Sequence, residues 1–133
     1  MNDTCSTIVL IENYRDEAEF FITTLQILKS KHKVSWAENG VDGLQLVQNL
    51  IAEQFIPCLI VLDINMPLMN GKLTALELRK ITDLSAVPIA ILSTSSSLAD
   101  RTFFQTIDML LYTKPTDYQT YLSMAKHLLS LCD

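Results

Sequence analysis

Five short apolar runs, Thr7–Ile11, Val34–Ala37, Cys58–Leu62, Ile89–Leu92 and Leu110–Thr113, recur along the 133 residues, and a longer amphipathic stretch follows each of them. No other feature limits the possible architectures so narrowly. A short apolar run bounded by turn or charged residues reads as a strand covered on both faces. The stretches between the runs place apolar residues at helical spacing. Ala18, Phe21, Ile22, Leu25 and Leu28 follow the first run, and Val41, Leu44, Val47, Leu50 and Ile51 follow the second. Leu73, Leu76 and Ile81 predict a shorter third helix ending before Val87-Pro88, and Leu98, Phe103, Phe104 and Ile107 predict a fourth. The last helix is expected from about Thr116 to Leu131, with Tyr121, Met124, Ala125 and Leu128 facing inward. Asp16, Asp42 and Asp117 fall near three helix starts, where a carboxylate suits the exposed amides and the dipole.

Strand alternating with helix through short connections implies a parallel sheet covered by helices. Right-handed crossovers leave few topologies for five strands. The expected fold is therefore α/β, a doubly wound five-stranded parallel sheet in the order 2-1-3-4-5. A length of 133 residues suits one domain over 1–133, and no linker, repeat, heptad or output domain is visible. A formal net charge of −5 argues against nucleic acid, whose phosphates are bound by Lys and Arg. No apolar run approaches the roughly 20 residues of a membrane span, and Met1–Thr7 does not read as a signal peptide. Cys5, Cys58 and Cys132 are odd in number and far apart, without zinc-like spacing. Cys58 reads as a small core residue, and the expected compartment is a reducing cytoplasm. His32 and His127 have no partner pattern and read as surface residues.

The third run ends in Asp63 and is followed by Ile64-Asn65-Met66-Pro67-Leu68-Met69-Asn70-Gly71. Pro67, Asn70 and Gly71 break the strand pattern and make a turn. Ligands of open parallel sheets sit beyond the carboxyl ends of the strands, so Asp63 stands where a reactive group belongs. The other strand ends carry Glu12-Asn13, Ser93-Thr94 and Lys114-Pro115, and the expected strand order brings them to the same edge. Carboxylates, an amide, a hydroxyl and one lysine suit Mg²⁺, which takes oxygen ligands, together with a phosphoryl group. A carboxylate can be the nucleophile, giving an aspartyl phosphate.

At these residues the chain resembles the receiver domains of two-component response regulators, over almost its whole length. The resemblance rests on Ile8-Val9-Leu10-Ile11-Glu12-Asn13, on Leu62-Asp63 through Asn70-Gly71, on Ile91-Leu92-Ser93 and on Lys114-Pro115. It implies a flavodoxin-like (βα)5 fold with Asp63 as phosphoacceptor and Glu12 in an acidic Mg²⁺ pocket. Asn65 would offer its backbone carbonyl to the metal, Ser93 would hydrogen-bond the phosphoryl group and Lys114 would pair with it. The implied phosphoryl donor is a histidine kinase or a histidine phosphotransfer protein. The implied readout is docking of a downstream protein on the face of the fourth helix, fifth strand and fifth helix, with Phe103, Phe104, Leu111 and Tyr121 as the candidates to shape it.

Two residues depart from the family pattern. Asn13 stands where a second acidic residue normally ligates the metal, so Mg²⁺ binding is expected to be weak. One missing charge near 4 Å is worth about 4 kcal/mol at an effective dielectric of about 20, before hydration offsets part of it. Leu111 stands where Tyr or Phe often swings on activation, and alternation points Tyr112 to the other side of the strand. These departures keep open a second reading, a phosphorylation-independent interaction module. An Asp-nucleophile phosphohydrolase is disfavoured, because its general acid would stand at Asn65. A flavin-binding domain is disfavoured because Glu12-Asn13-Tyr14-Arg15 is no phosphate loop.

Overall fold

The computed structural model describes residues 6–64, 70–94 and 97–132. Its elements alternate as β1 (Thr7–Ile11), α1 (Arg15–Ile27), β2 (Lys33–Ala37), α2 (Gly40–Ala52), β3 (Leu59–Asp63) and α3 (Gly71–Arg79), continuing through β4 (Ile89–Ser93), α4 (Leu98–Thr106), β5 (Leu110–Thr113) and α5 (Tyr118–Cys132). All neighbouring strands are parallel and the order is β2-β1-β3-β4-β5, as the alternation predicts.

Strand alternation divides the core in two. Val9, Ile11, Ile60, Leu62, Ile89 and Ile91 face α2, α3 and α4, which contribute Val47, Ala75, Leu78 and Phe104. Ile8, Leu10, Leu59, Val61, Ala90 and Leu92 face α1 and α5, which contribute Phe21, Leu25, Met124 and Leu128. The same alternation sends Leu111 to the first face and Tyr112 to the second. Residues of the three central strands are almost wholly buried, which explains why their sequences are apolar without interruption.

The starts of α2, α3, α4 and α5 carry side-chain caps, whereas α1 has none. Asn39 accepts the Asp42 amide at 2.8 Å and Asn70 accepts the Leu73 amide at 2.8 Å. Asp117 accepts the Thr120 amide at 2.8 Å, which is why α5 begins at Tyr118 rather than at Thr116. The third helix exists as expected, but its inner face is one position off. Leu73 and Leu76 are exposed, whereas Thr74, Ala75 and Leu78 are buried. The cause is Gly71, whose amide donates to the Ile64 carbonyl at 3.1 Å. A Cβ at Gly71 would lie 2.1 Å from Ile64 Cα, so only glycine allows this approach. Once Gly71 is seated there, positions three, four and seven residues on must face the sheet. Val41 is likewise exposed, although the spacing placed it on the inner face of α2.

Cys58 is not a free core thiol. It forms a disulfide with Cys132 across a Cα–Cα distance of 4.9 Å, tying the entrance of β3 to the last turn of α5. Disulfides persist mainly in oxidising surroundings, so the cysteines no longer argue for a reducing compartment. No helix among the described residues is long and apolar enough to cross a membrane.

Candidate functional site

The carboxyl ends of β1, β3, β4 and β5 meet at one edge because these strands are neighbours in the sheet. Asp63 is the last residue of β3 and is 1% exposed, while Glu12, directly after β1, is 3% exposed. Ser93 ends β4 and is fully buried. Its carbonyl accepts the Lys114 amide at 2.7 Å, which fixes the backbone from which the lysine reaches back. Lys114 Nζ then lies 3.5 Å from Asp63 Oδ1 and 3.0 Å from Glu17 Oε1. Asn13 follows Glu12 and is half-buried, whereas Asn65 lies outside the described residues.

Two buried carboxyls beside each other cannot both hold full charge cheaply. The structure resolves this at Glu12, whose pKa is pushed up to about 8. Burial is the largest cause, the charge of Asp63 the next, and a hydrogen bond between the two carboxyls adds to it. The Tyr14 amide, which donates to Glu12 Oε2 at 3.1 Å, pulls the other way without prevailing. Glu12 therefore carries a proton at neutral pH. Lys114 is pulled down by burial, but Glu17, Asp63 and Glu12 together leave it above its ordinary value, so it is a firm cation.

Glu17 was not legible as a site residue. It lies in the first turn of α1 and is exposed, yet it holds Lys114 more closely than Asp63 does. Glu12, Glu17 and Lys114 border a cleft of about 430 Å³ between α1 and α5, together with Phe20 and Tyr121. Burial, Glu12 and Glu17 raise the Tyr121 hydroxyl pKa, and its ring packs on Phe20 with centroids 4.7 Å apart. Tyr121 therefore turns toward α1, away from the face it was expected to shape. Phe104 is fully buried and cannot serve that face either. Phe103 is half-buried, with the Lys72 ammonium 5.3 Å from its ring centroid, and Leu111 packs against the core.

The donor set can hold a hard dication. Glu12 and Asp63 offer carboxylate oxygens, and the proton that Glu12 carries is what a dication would displace. Asn13→Asp is expected to tighten Mg²⁺ binding by about 1–3 kcal/mol, or about 5- to 150-fold, less than the unscreened Coulomb figure because hydration changes too. It is also expected to destabilise the metal-free protein slightly, by bringing a third carboxyl to the cluster. A Mg²⁺ titration of both proteins decides this. Equal affinities would mean that position 13 does not reach the metal.

Known proteins share this chain's family and fold. Residues 8–126 match the family model of the response regulator receiver domain. Protein PilH of Pseudomonas aeruginosa is 33% identical over 113 residues, which cover 84% of this chain and 89% of PilH. The phosphorylated cyanobacterial phytochrome response regulator RcpA superposes with a TM-score of 0.83 at 21% identity, over 93% of this chain and 91% of RcpA. The Mn²⁺-bound form of response regulator Rcp1 superposes with a TM-score of 0.76 at 21% identity, over 94% and 92% of the two chains. With the model match, the PilH identity and the fold in agreement, the chain belongs to the response regulator receiver domain family.

Proposed function

We propose that Asp63 accepts a phosphoryl group from a histidine kinase or a histidine phosphotransfer protein, and that this changes the protein's affinity for a protein partner. Receiver domains are signalling modules that pair with histidine kinases, and this chain shares that class. The observation that carries the proposal is Lys114 Nζ at 3.5 Å from the buried Asp63 carboxylate, with Glu12 beside it. In the reaction, an Asp63 oxygen bonds to phosphorus as the bond from phosphorus to the donor's imidazole nitrogen breaks. Lys114 balances charge on the transferred oxygens, and Ser93 supplies a hydroxyl at the neighbouring strand end. Mg²⁺, held by Glu12 and Asp63 with Asn13 and the Asn65 carbonyl, would supply the remaining positive charge. The match to PilH over most of both chains supports a protein that works as a single receiver unit. No enzymatic turnover of a small molecule is proposed.

The phosphoryl group must take Lys114 from Glu17, and that exchange is one route by which the signal leaves the site. The other runs from Ser93 to α4, where Lys72 of α3 pairs with Asp100 at 2.7 Å. The proposed readout surface is the face of α4, β5 and α5. Leu98, the first residue of α4, is 78% exposed, whereas Phe104 of the same helix is buried. Without a ring at position 111, the shift between the two states is expected to be modest, with the free domain partly active already. A ligand can move such an equilibrium only by its differential affinity for the two states. Amide chemical shifts before and after beryllofluoride test this. Changes reaching Ser97–Tyr112 support the switch. Changes confined to the phosphate pocket would sink it.

A further inference from the structure

A second cluster of reactive groups lies at the opposite end of the sheet from Asp63. His32 stands in the connection from α1 to β2, Cys58 immediately before β3, and Cys132 in the last turn of α5. Their ligand atoms all lie within 4.8 Å of one another, and all three residues are half-buried. Cys58 Sγ is 4.0 Å from His32 Nδ1, and the same nitrogen is 3.2 Å from the Ser6 carbonyl oxygen. The backbone holds the cluster in place: the Cys58 amide donates to the Thr7 carbonyl at 3.0 Å, and the His32 amide donates to Ser30 Oγ at 3.1 Å.

We infer that this cluster, once its disulfide is reduced, binds a thiophilic divalent cation of the zinc class through two thiolates and one imidazole. Two sulfurs and one nitrogen form a ligand set that zinc takes and magnesium does not. Tetrahedral bonds of about 2.3 Å to sulfur and about 2.1 Å to nitrogen put the donors roughly 3.5–3.8 Å apart, so the imidazole, now 4.0 Å from Cys58 Sγ, needs only a small movement once the S–S bond opens and the sulfurs part. Lys29 and Lys31 border the same open cleft of about 320 Å³ as His32. The cleft leaves the imidazole side of the cluster open to solvent.

The chemistry balances simply. A phosphine and one water split the S–S bond, each sulfur takes a proton, and the oxygen leaves as phosphine oxide. The cation then forms two bonds to sulfur and one to nitrogen, and the two thiol protons pass to solvent. A disulfide offers no thiolate, so the oxidised and the metal-bound states exclude each other. The site is independent of phosphorylation at Asp63.

The test uses the full chain carrying Cys5→Ser, so that only two thiols are in play. Cobalt(II) reports thiolate coordination by its charge-transfer absorption, and zinc displaces it. The phosphine-reduced protein is expected to bind one cobalt with that absorption, and the oxidised protein none. Cys132→Ser is expected to abolish the band and His32→Ala to weaken zinc at least tenfold, while Asp63→Asn leaves both unchanged. Oxidised and reduced forms of one protein need no variant to fold. A reduced protein without a thiolate band would overturn the inference, as would a band indifferent to Cys132→Ser and His32→Ala.

Discussion

Incubated with acetyl phosphate and Mg²⁺, the protein is expected to gain one phosphoryl group, and Asp63→Asn to gain none. The two buried carboxyls of the site are not equivalent nucleophiles. Glu12 holds a proton at neutral pH, with its pKa pushed up to about 8, and a protonated carboxyl attacks poorly. Asp63 lies 3.5 Å from the Lys114 ammonium, which can balance charge arriving with the phosphoryl group. An amide at position 63 keeps the shape but is no nucleophile, so labelling should fall to background rather than by a fraction. Chelating the metal should do the same. Intact-mass measurement reads both results. Labelling of Asp63→Asn at the wild-type level would mean that the phosphoacceptor lies elsewhere.

The metal-free protein is expected to lose stability as the pH rises from about 5 to about 8. The Glu12 carboxyl has an ordinary value of 4.5 and a folded value of about 8. Between these values the folded protein binds one more proton than the unfolded chain, so raising the pH favours unfolding. The stabilisation is complete below the unfolded value and is lost as the pH passes the folded one. Its slope is at most about 1.4 kcal/mol per pH unit, for a total of about 3–5 kcal/mol if Glu12 acts alone. Urea unfolding with a chelator present, across this range, measures it. Glu12→Gln mimics the protonated form and should flatten the slope, making the variant more stable than wild type at pH 8. Added Mg²⁺ should stabilise the wild type more at high pH than at low, because it competes with that proton. Parallel pH profiles for the two proteins would place the proton on another group.

The alternation of strand and helix was legible because it is local. Each strand announces itself within five residues, and each helix within a few turns. Burial on both faces of β1, β3 and β4 leaves polar residues only at their ends, where they do not confuse the pattern. The expected sheet order followed from handedness and connection length, and it placed Glu12, Asp63, Ser93 and Lys114 at one edge before any contact was known. Leu111 and Tyr112 fell on the expected sides because a strand has no freedom in its alternation. The faces of helices were less secure. A rotation of one position moved Leu73 and Leu76 outward, because the seat of Gly71 on Ile64 is a contact that periodicity does not encode.

Contacts between distant elements belonged to the tertiary structure alone. Glu17 and Lys114 are 97 residues apart, and Cys58 and Cys132 are 74 apart. Neither pairing follows from any local pattern, since each depends on how the ends of helices pack over a finished sheet. The proton on Glu12 is of the same kind. Sequence supplied two carboxyls at adjacent strand ends, whereas burial beside Asp63 is what raised the pKa of Glu12. The sequence by itself thus determined the sheet, its order and the edge where the polar strand ends gather, because period and handedness act over a few residues. Only the folded chain decided which distant side chains share a proton, an ion pair or a disulfide, because those depend on separations of a few ångströms set by the whole packing.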